Sequence, residues 1–168
     1  MKDFVIYGGG ISAKIFALAL AKVGFRVSLV ADNESSHETN NTNLVTFLSA
    51  GSLNYLSSIL TSFQALKEFE DIKKITCELE KTDANKGQEI TFQKKENILG
   101  KIIKNSILEE LINNDLNKNN NIDINKKTYL IKVQNFKNKV TISFDNKTEL
   151  DAKTFVIASL KNNRLFKD

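Results

Sequence analysis

The sequence predicts a three-layer α/β fold, in which a parallel sheet has helices on one side and a small antiparallel β-meander on the other. Three observations support this prediction. Near the amino terminus, two apolar runs flank a segment with helical spacing, which indicates a strand–helix–strand unit. Short alternating segments follow between residues 129 and 150. A continuous apolar run at 155–158 is typical of a central parallel strand buried on both faces.

Composition and length indicate one globular domain, residues 1–168. The chain has 168 residues, of which 41% are hydrophobic and 26% charged; these are ordinary globular values and suit one domain at about 150 residues per domain. No run approaches the ~20 apolar residues of a membrane span, and the start of the chain lacks the pattern of a signal peptide. We therefore expect a cytoplasmic protein with at most peripheral membrane contact.

The charge pattern and the rarity of two residue types exclude several functions. The formal net charge is +4, but the lysines are scattered among 20 acidic residues without a basic stripe, so no nucleic-acid partner is expected. One cysteine, Cys77, and one histidine, His37, leave no internal disulfide and no metal site. Cys77 alternates with Ile75 and Leu79, which favours a buried, inert thiol over a nucleophile. No catalytic side chain is predicted.

The first predicted strand and helix are joined by a glycine turn. The apolar run at 3–7 ends at three consecutive glycines, and apolar residues at helical spacing follow up to Gly24. A second apolar run begins at Val27. Together these segments predict the β–α–β unit of a parallel sheet with a crossover helix.

The glycines fit the dinucleotide-binding pattern G-x-G-x-x-G/A. In this pattern Gly8 permits the tight turn, Gly10 lets a pyrophosphate approach the backbone, and the small Ala13 lets the helix pack on the strand. The N–H groups at the start of the helix add an anion site. The predicted cofactor-binding residues of this turn are Gly8, Gly9, Gly10, Ile11, Ser12 and Ala13. The alternative interpretation is a glycine turn that serves close packing and binds no ligand.

A carboxylate at the end of the second strand normally binds the ribose of a dinucleotide. Here Ala31 occupies the expected position and Asp32 follows one residue later. A shift of one residue in a strand turns the side chain to the other face. Asp32 can bind the cofactor if the strand ends at Val30 and the following loop redirects it. A solvated loop acid is the alternative.

The later elements follow from changes in periodicity. A polar stretch at 32–43 predicts a surface loop, and apolar residues at three- and four-residue spacing predict one or two helices over 53–70. Alternation predicts a β-hairpin at 72–95. Helical spacing returns at 103–117 and gives way to an asparagine-rich loop that ends in a short strand near Asn125.

Four segments together resemble one known family. Residues 3–32 resemble the start of the FAD-dependent aromatic hydroxylases of ubiquinone biosynthesis, which are flavoprotein monooxygenases similar to p-hydroxybenzoate hydroxylase. FLSAGSLNYLSSI (47–59) resembles the family's segment A-L-S-x-x-S-L-x-x-L, and ILGKIIKNSILEELI (98–112) resembles its stretch G-x-x-V-x-N-x-x-L-x-x-x-L. TELDAKTFVIAS (148–159) resembles the strands that lead to its A-D-G fingerprint. The four segments cover nearly the whole chain in the family's order.

The resemblance implies an FAD-type Rossmann-like fold, with residues 1–168 as a single, incomplete FAD-binding domain and the 72–95 hairpin as part of a substrate-domain sheet. It implies that the glycine turn approaches the FAD pyrophosphate and that Asn105 lies near the FAD at the start of its helix. The implied activity is hydroxylation of a small aromatic or quinone-precursor substrate, with NAD(P)H as the electron donor and the flavin as the redox group.

The chain also departs from the family's pattern. The family's arginine upstream of A-L-S falls on Leu44, and the arginine after the helix asparagine is replaced by Ser106. The A-D-G fingerprint reads A-S-L at 158–160, and family members continue for a similar length beyond Asp168. We therefore expect little or no hydroxylase activity from this chain alone.

Three functional interpretations remain. The intact glycine turn favours the FAD-binding part of a monooxygenase. The residues at Leu44 and 159–160 favour a non-catalytic relative that acts as a binding or assembly subunit. A plain NAD(P)-binding Rossmann protein is a weaker alternative, since the predicted meander suits the FAD type better. Because the hairpin and the 155–158 strand would lack neighbours, we expect self-association or a partner chain to cover their edges.

Overall fold

The computed structural model describes residues 1–31, 44–78, 89–93, 98–126 and 129–159. Its helices are α1 (Ile11–Lys22), α2 (Ala50–Ile59) and α3 (Asn105–Lys118), with a short 3-10 helix at Phe63–Ala65. Its strands are β1 (Lys2–Tyr7), β2 (Val27–Ala31), β3 (Val45–Ser49), β4 (Glu70–Ile72), β5 (Lys74–Glu78), β6 (Glu89–Gln93), β7 (Gly100–Lys104), β8 (Ile122–Lys126), β9 (Leu130–Asn135), β10 (Val140–Phe144) and β11 (Glu149–Ile157). Across these ranges, no helix combines the length and the apolar character that a membrane crossing requires.

The largest sheet has six strands in the order β8-β2-β1-β11-β10-β9. The first four run parallel, and β10 and β9 continue the sheet in antiparallel fashion. β11 has both kinds of pairing, because Ala152 lies opposite Val140 of β10 and opposite Lys2 of β1. The sequence predicts one strand at Leu150 and another at 155–158. The structure has a single strand instead, since the change of partner at Ala152 requires no turn.

Different elements cover the two faces of this sheet. On one face, Ile6 packs in a cluster with Ala17 of α1 and Ile112 of α3. On the other face, Val5 packs in a second cluster with Ile142 of β10. All five side chains are fully buried, and burial of one aliphatic side chain contributes about 1.5–3 kcal/mol. The predicted α/β class is confirmed. Helix residues pack against one face of the mostly parallel sheet, and residues of β10, which continues the sheet, belong to the cluster on the other face.

The end of β11 is less buried than the sequence predicts. Its pairing with β10 stops at Ala152, so residues 153–157 have β1 on one side and no described strand on the other. Residues 155–157 are only partly buried, whereas Val5 and Ile6 of the neighbouring β1 are fully buried. The prediction of burial on both faces is wrong here, because this part of β11 has no described neighbour on one side and its side chains are less shielded.

β3, β7 and β4 form a second, antiparallel sheet with β7 in the centre. The sequence predicts neither β3 nor β7. Its helical spacing begins at Ile103, which lies in β7, whereas the helix itself begins at Asn105, where the resemblance places its start. The segments VTFLS and GKIIK are short and show little alternation. Their strand conformation comes from pairing with each other, for example Val45 with Lys104.

The helical region predicted over 53–70 is shorter in the structure. α2 begins after Ser49, whose Oγ accepts a hydrogen bond from the Ser52 N–H at 3.2 Å, and it ends at Ile59. Such a serine satisfies one of the free N–H groups at the start of a helix. After the 3-10 helix, the chain reaches β4 at Glu70, so the apolar spacing of this region spans three elements.

β5 and β6 form the predicted hairpin as a separate two-stranded sheet. Ile75 lies opposite Phe92 and Cys77 opposite Ile90, so these four side chains share one face of the hairpin. Ile90 is 51% and Phe92 54% exposed. Cys77 is exposed as well, and the prediction of a buried thiol is wrong because no described element covers this face. The turn between the two strands lies outside the described residues.

Candidate functional site

Gly8 forms the tightest part of the turn between β1 and α1. Its φ of +151° is a conformation that glycine adopts readily and L side chains rarely adopt. Its N–H donates a hydrogen bond to the Val30 carbonyl at 2.8 Å, and the Ala158 N–H donates to the Tyr7 carbonyl at 2.8 Å. A Cβ at Gly8 would lie 2.5 Å from the Ala158 carbonyl oxygen. Glycine is therefore required where the end of β1 approaches the end of β11.

Gly10 precedes the first residue of α1 and faces open space. Its φ is −75°, and an added Cβ would meet no atom within 4 Å. No side chain in the described part of the chain caps the start of α1, and its first turn contains no acidic residue. The first N–H groups of a helix have no partner within the helix. Together with the positive end of the helix dipole, they form a site for an anionic oxygen.

Ala13 brings α1 close to the sheet. It is fully buried, as is Ala17 one turn later, and both belong to the core cluster that contains Ile6. Side chains this small let the helix axis approach the strands closely. The burial of Ala13 places the start of α1 against the sheet beside β1.

The topology places this turn at the edge where the parallel strands end, here called the carboxyl edge. β8, β2, β1 and β11 are parallel, so their carboxyl ends meet there. α1 begins at this edge because it follows β1, and α3 begins there because it leads back to the start of β8. β2 and β8 lie on one side of β1 and β11 on the other, so the strand order reverses beside Gly8. Open α/β sheets bind ligands at such a point.

Asn105 is the first residue of α3 and is tied to β3. Its N–H donates a hydrogen bond to the Leu44 carbonyl at 2.9 Å. Its side-chain oxygen, Oδ1, accepts a hydrogen bond from the Thr46 hydroxyl at 2.6 Å. Thr46 is a residue of this region that the sequence does not single out, because its partner is 59 positions away in the chain. The structure thus places Asn105 at the same edge of the sheet as the glycine turn.

The remaining predicted positions are only partly described. Asp32, His37 and Leu160 lie outside the described residues, and the ribose-binding role of Asp32 stays a prediction. β2 extends through Ala31. Leu44, which stands where the family has an arginine, is 50% exposed. An apolar side chain is therefore presented where the resemblance implies a cationic contact with the cofactor.

A separate cleft lies near the amino-terminal end of β1. It measures about 460 Å³ and is lined by residues that include Met1, Phe136 and Lys139. Lys139 forms an ion pair with Asp151 at 2.6 Å, and Thr141 donates to the same carboxylate at 2.7 Å. The Lys139 hydrogen bond lowers the pKa of Asp151. Lys139 and Asp151 of this cleft therefore pair with each other. No cluster of three or more metal-ligating side chains occurs among the described residues.

Comparison with known proteins gives likeness in structure only. The chain matches no protein-family model and no curated protein. It is similar to p-nitrophenol 4-monooxygenase PnpA from Pseudomonas putida DLL-E4, with a TM-score of 0.69 and 14% identity over 96% of this chain and 41% of that chain. PqsL, a probable FAD-dependent monooxygenase from Pseudomonas aeruginosa, gives a TM-score of 0.64 and 14% identity over 92% of this chain and 41% of that chain. The Diels-Alderase PyrE3 of the pyrroindomycin pathway gives a TM-score of 0.71 and 10% identity, over 95% of this chain and 32% of that chain.

These likenesses show the fold and leave the reaction open. Identities of 10% to 14% are too low to carry a function, and a Diels-Alderase among the similar structures illustrates that one fold serves different reactions. This chain spans between 32% and 41% of those three chains. Within that span, the chain has a fold that flavin-dependent monooxygenases share, in agreement with the resemblance of its sequence.

Proposed function

We propose that this chain binds FAD at its glycine turn and is the FAD-binding part of a flavin-dependent monooxygenase that hydroxylates an aromatic ring in ubiquinone biosynthesis. The observation that carries the proposal is the uncapped start of α1. It follows Gly10 directly and lies where the strand order of the sheet reverses. The fold shared with PnpA and PqsL supports FAD as the dinucleotide. The assignment to ubiquinone biosynthesis rests on the sequence resemblance.

The residues at the turn fit a pyrophosphate. The space in front of Gly10, which a side chain would fill, leaves room for phosphate oxygens beside the backbone. The N–H groups of Ile11, Ser12 and Ala13 would donate hydrogen bonds to those oxygens. Asn105, at the start of α3, would donate from its side-chain amide. When bound, the flavin would supply the redox chemistry, with NAD(P)H as the electron donor.

We propose that hydroxylation is carried out by an assembly that contains more protein than this chain. The chain spans less than half of the similar monooxygenases, and the positions where the family has an arginine and an aspartate hold Leu44 and Ser159. The role of this chain would be to hold and orient the cofactor. We expect no NADH- or NADPH-dependent oxygen uptake by the purified chain with FAD alone.

The test is flavin retention. The purified protein is incubated with FAD, desalted, and examined for the visible absorption bands of oxidised flavin. We expect the wild-type chain to retain flavin and Gly10→Glu to lose it, because the new side chain fills the space at the turn and its charge repels phosphate. Gly51→Glu makes the same change in the first turn of α2, where the residue is exposed, and should retain flavin.

Each other outcome contradicts part of the proposal. A wild-type chain that retains no flavin would overturn FAD binding. Binding of NADH or NADPH without FAD would replace the proposal with the NAD(P)-binding alternative. Retention of flavin by Gly10→Glu would place the cofactor away from the glycine turn.

A second candidate function, that of an assembly subunit, is favoured by the exposed hairpin. Its apolar face is uncovered among the described residues, and a two-stranded hairpin alone is only marginally stable. We propose a second copy of this chain as the partner, paired along β5. Antiparallel pairing of two β5 strands about Thr76 would place Lys74 opposite Glu78 of a second copy. Within one chain Glu78 faces Glu89, so the lysine would also offset a like-charge pair.

A further inference from the structure

We propose that Thr46 orients the side-chain amide of Asn105, so that the amide presents its N–H donors, and not its oxygen, to the cofactor. This inference rests on the proposed FAD site. An asparagine amide has an accepting oxygen on one side and a donating NH₂ group on the other. Whichever side is fixed by the protein determines which side faces a ligand.

The contact between the two side chains is direct. The Thr46 hydroxyl lies 2.6 Å from Asn105 Oδ1 and donates to it. Both residues are partly buried, so the hydrogen bond is sheltered from competing water. Thr46 lies on a strand and is β-branched, which restricts its side-chain rotation. A hydroxyl can donate or accept, but the separation of 2.6 Å suits an O–H···O hydrogen bond and is short for the N–H···O bond that a reversed amide would form. The hydroxyl therefore engages the amide oxygen.

The main chain fixes Asn105 as well. β3 and β7 pair antiparallel, with Val45 opposite Lys104. The hydrogen bond from the Asn105 N–H to the Leu44 carbonyl, at 2.9 Å, extends this pairing by one residue into α3. Asn105 is thus held at two points, on the backbone by Leu44, which precedes β3, and on the side chain by Thr46 of β3. This anchoring makes Thr46 a positioning residue for Asn105.

The consequence is a directional donor at the carboxyl edge. Among the described residues, nothing accepts a hydrogen bond from the Asn105 amide nitrogen. The donor lies at the start of α3, where the positive end of the helix dipole also favours an electron-rich partner. A reversed amide would present its oxygen and repel the acceptor atoms of a nucleotide. The arrangement selects a carbonyl, hydroxyl or phosphate oxygen as the atom that Asn105 contacts.

The experiment measures FAD affinity in three variants by fluorescence titration. Thr46→Val removes the hydroxyl and keeps the shape, and we expect about fivefold weaker binding, the effect of one hydrogen bond. Thr46→Ser keeps the hydroxyl and should bind FAD as the wild type does. Asn105→Asp keeps an acceptor for Thr46 but removes the donor, so it should bind more weakly than Thr46→Val. Thr148→Val removes an equivalent hydrogen bond, from a threonine hydroxyl to the Asn146 side-chain oxygen at 2.6 Å, at an exposed position, and serves as the matched control without effect.

A double-mutant cycle separates positioning from general structure. In an Asn105→Ala background, Thr46→Val should cause no further loss, because the group it positions is absent. In the wild type, FAD should also shift the NMR signals of the Asn105 side-chain NH₂ group, which are identified by their absence in Asn105→Asp.

The failures of the two proposals are distinguishable. If the wild-type chain binds no FAD, the proposed function and this inference are both overturned. If it binds FAD, and Thr46→Val binds equally well or Thr46→Ser binds as weakly as Thr46→Val, the inference is overturned while the proposed function stands. Binding that leaves the Asn105 NH₂ signals unchanged would also overturn it.

Discussion

Gly8 and Gly10 are separated by one residue and are glycine for different physical reasons. At Gly8 the backbone conformation and the nearby Ala158 carbonyl both exclude a side chain. At Gly10 the backbone has an ordinary φ of −75°, and the space in front is empty. The first glycine therefore serves the fold, and the second leaves room for a ligand.

This difference predicts that alanine lowers stability much more at Gly8 than at Gly10. Gly8→Ala should lower the free energy of unfolding by about 1–3 kcal/mol, because the residue would be strained and its Cβ would crowd the Ala158 carbonyl. Gly10→Ala should change stability by no more than about 0.5 kcal/mol. Urea unfolding followed by circular dichroism measures both values. Equal stability of Gly8→Ala and the wild type would contradict the close approach of β1 and β11.

At the scale of elements, Asp3 of β1 connects its strand with the two neighbouring strands of the sheet, β2 and β11, away from the glycine turn. Lys153 of β11 forms an ion pair with Asp3 Oδ1 at 2.8 Å. The N–H of Arg26, just before β2, donates to Oδ2 at 2.9 Å. These two hydrogen bonds, first that of Lys153 and then that of Arg26, lower the pKa of Asp3 from 3.8 to about 2. The carboxylate thus helps to fix the order β2-β1-β11.

The lowered pKa of Asp3 predicts a specific loss of stability in acid. A carboxyl that binds its proton less readily in the folded state stabilises that state above its unfolded pKa. This contribution is complete above about pH 4 and is lost as the pH falls from there through about pH 2. Asp3→Asn should therefore flatten the dependence of unfolding free energy on pH in this window.

The measurement is denaturant unfolding at several pH values for the wild type, Asp3→Asn and the charge-matched control Glu110→Gln, at an exposed position of α3. The control should keep the wild-type slope between about pH 4 and about pH 2. An Asp3→Asn variant with the wild-type slope would show that Asp3 does not connect the strands in solution.

At the scale of the whole molecule, two of the sheet borders that are unpaired among the described residues bear on association with another chain. One is the outer edge of β11 over 153–157, and the other is the β5–β6 hairpin, whose strands pair only with each other among the described residues. Unpaired backbone groups on exposed strands favour pairing with another chain. On the hairpin, Lys74 of one copy would also lie opposite Glu78 of a second copy, so the two charges would attract each other.

The self-association proposal predicts a dimer that charge substitutions can break and restore. We expect light scattering to give twice the chain mass for the wild type. Lys74→Glu should yield a monomer, because it would face Glu78 of a second copy. The double variant Lys74→Glu with Glu78→Lys reverses both charges and should restore the dimer. A wild-type monomer, or a double variant that stays monomeric, would contradict pairing along β5.

The parts of the fold that could be predicted from the sequence depend on neighbouring residues. The β–α–β unit follows from apolar periodicity over about thirty positions and from glycines in fixed order. The hairpin and the meander follow from alternation within short segments. By contrast, the sequence did not predict β3 and β7. Their strand conformation arises from pairing between residues more than fifty positions apart, such as Val45 and Lys104.

The sequence by itself determined the local chemistry of this protein: a glycine turn at the start of a helix in an α/β domain. Only the tertiary structure decided which groups meet that turn and which stay uncovered. It placed Asn105 at the same sheet edge, joined it to Thr46, merged two predicted strands into β11 and left Cys77 exposed. The physical reason is that the periodicity of a segment reflects which of its side chains prefer water and which prefer the core. The contact between Thr46 and Asn105 joins residues 59 positions apart and depends on how whole elements pack.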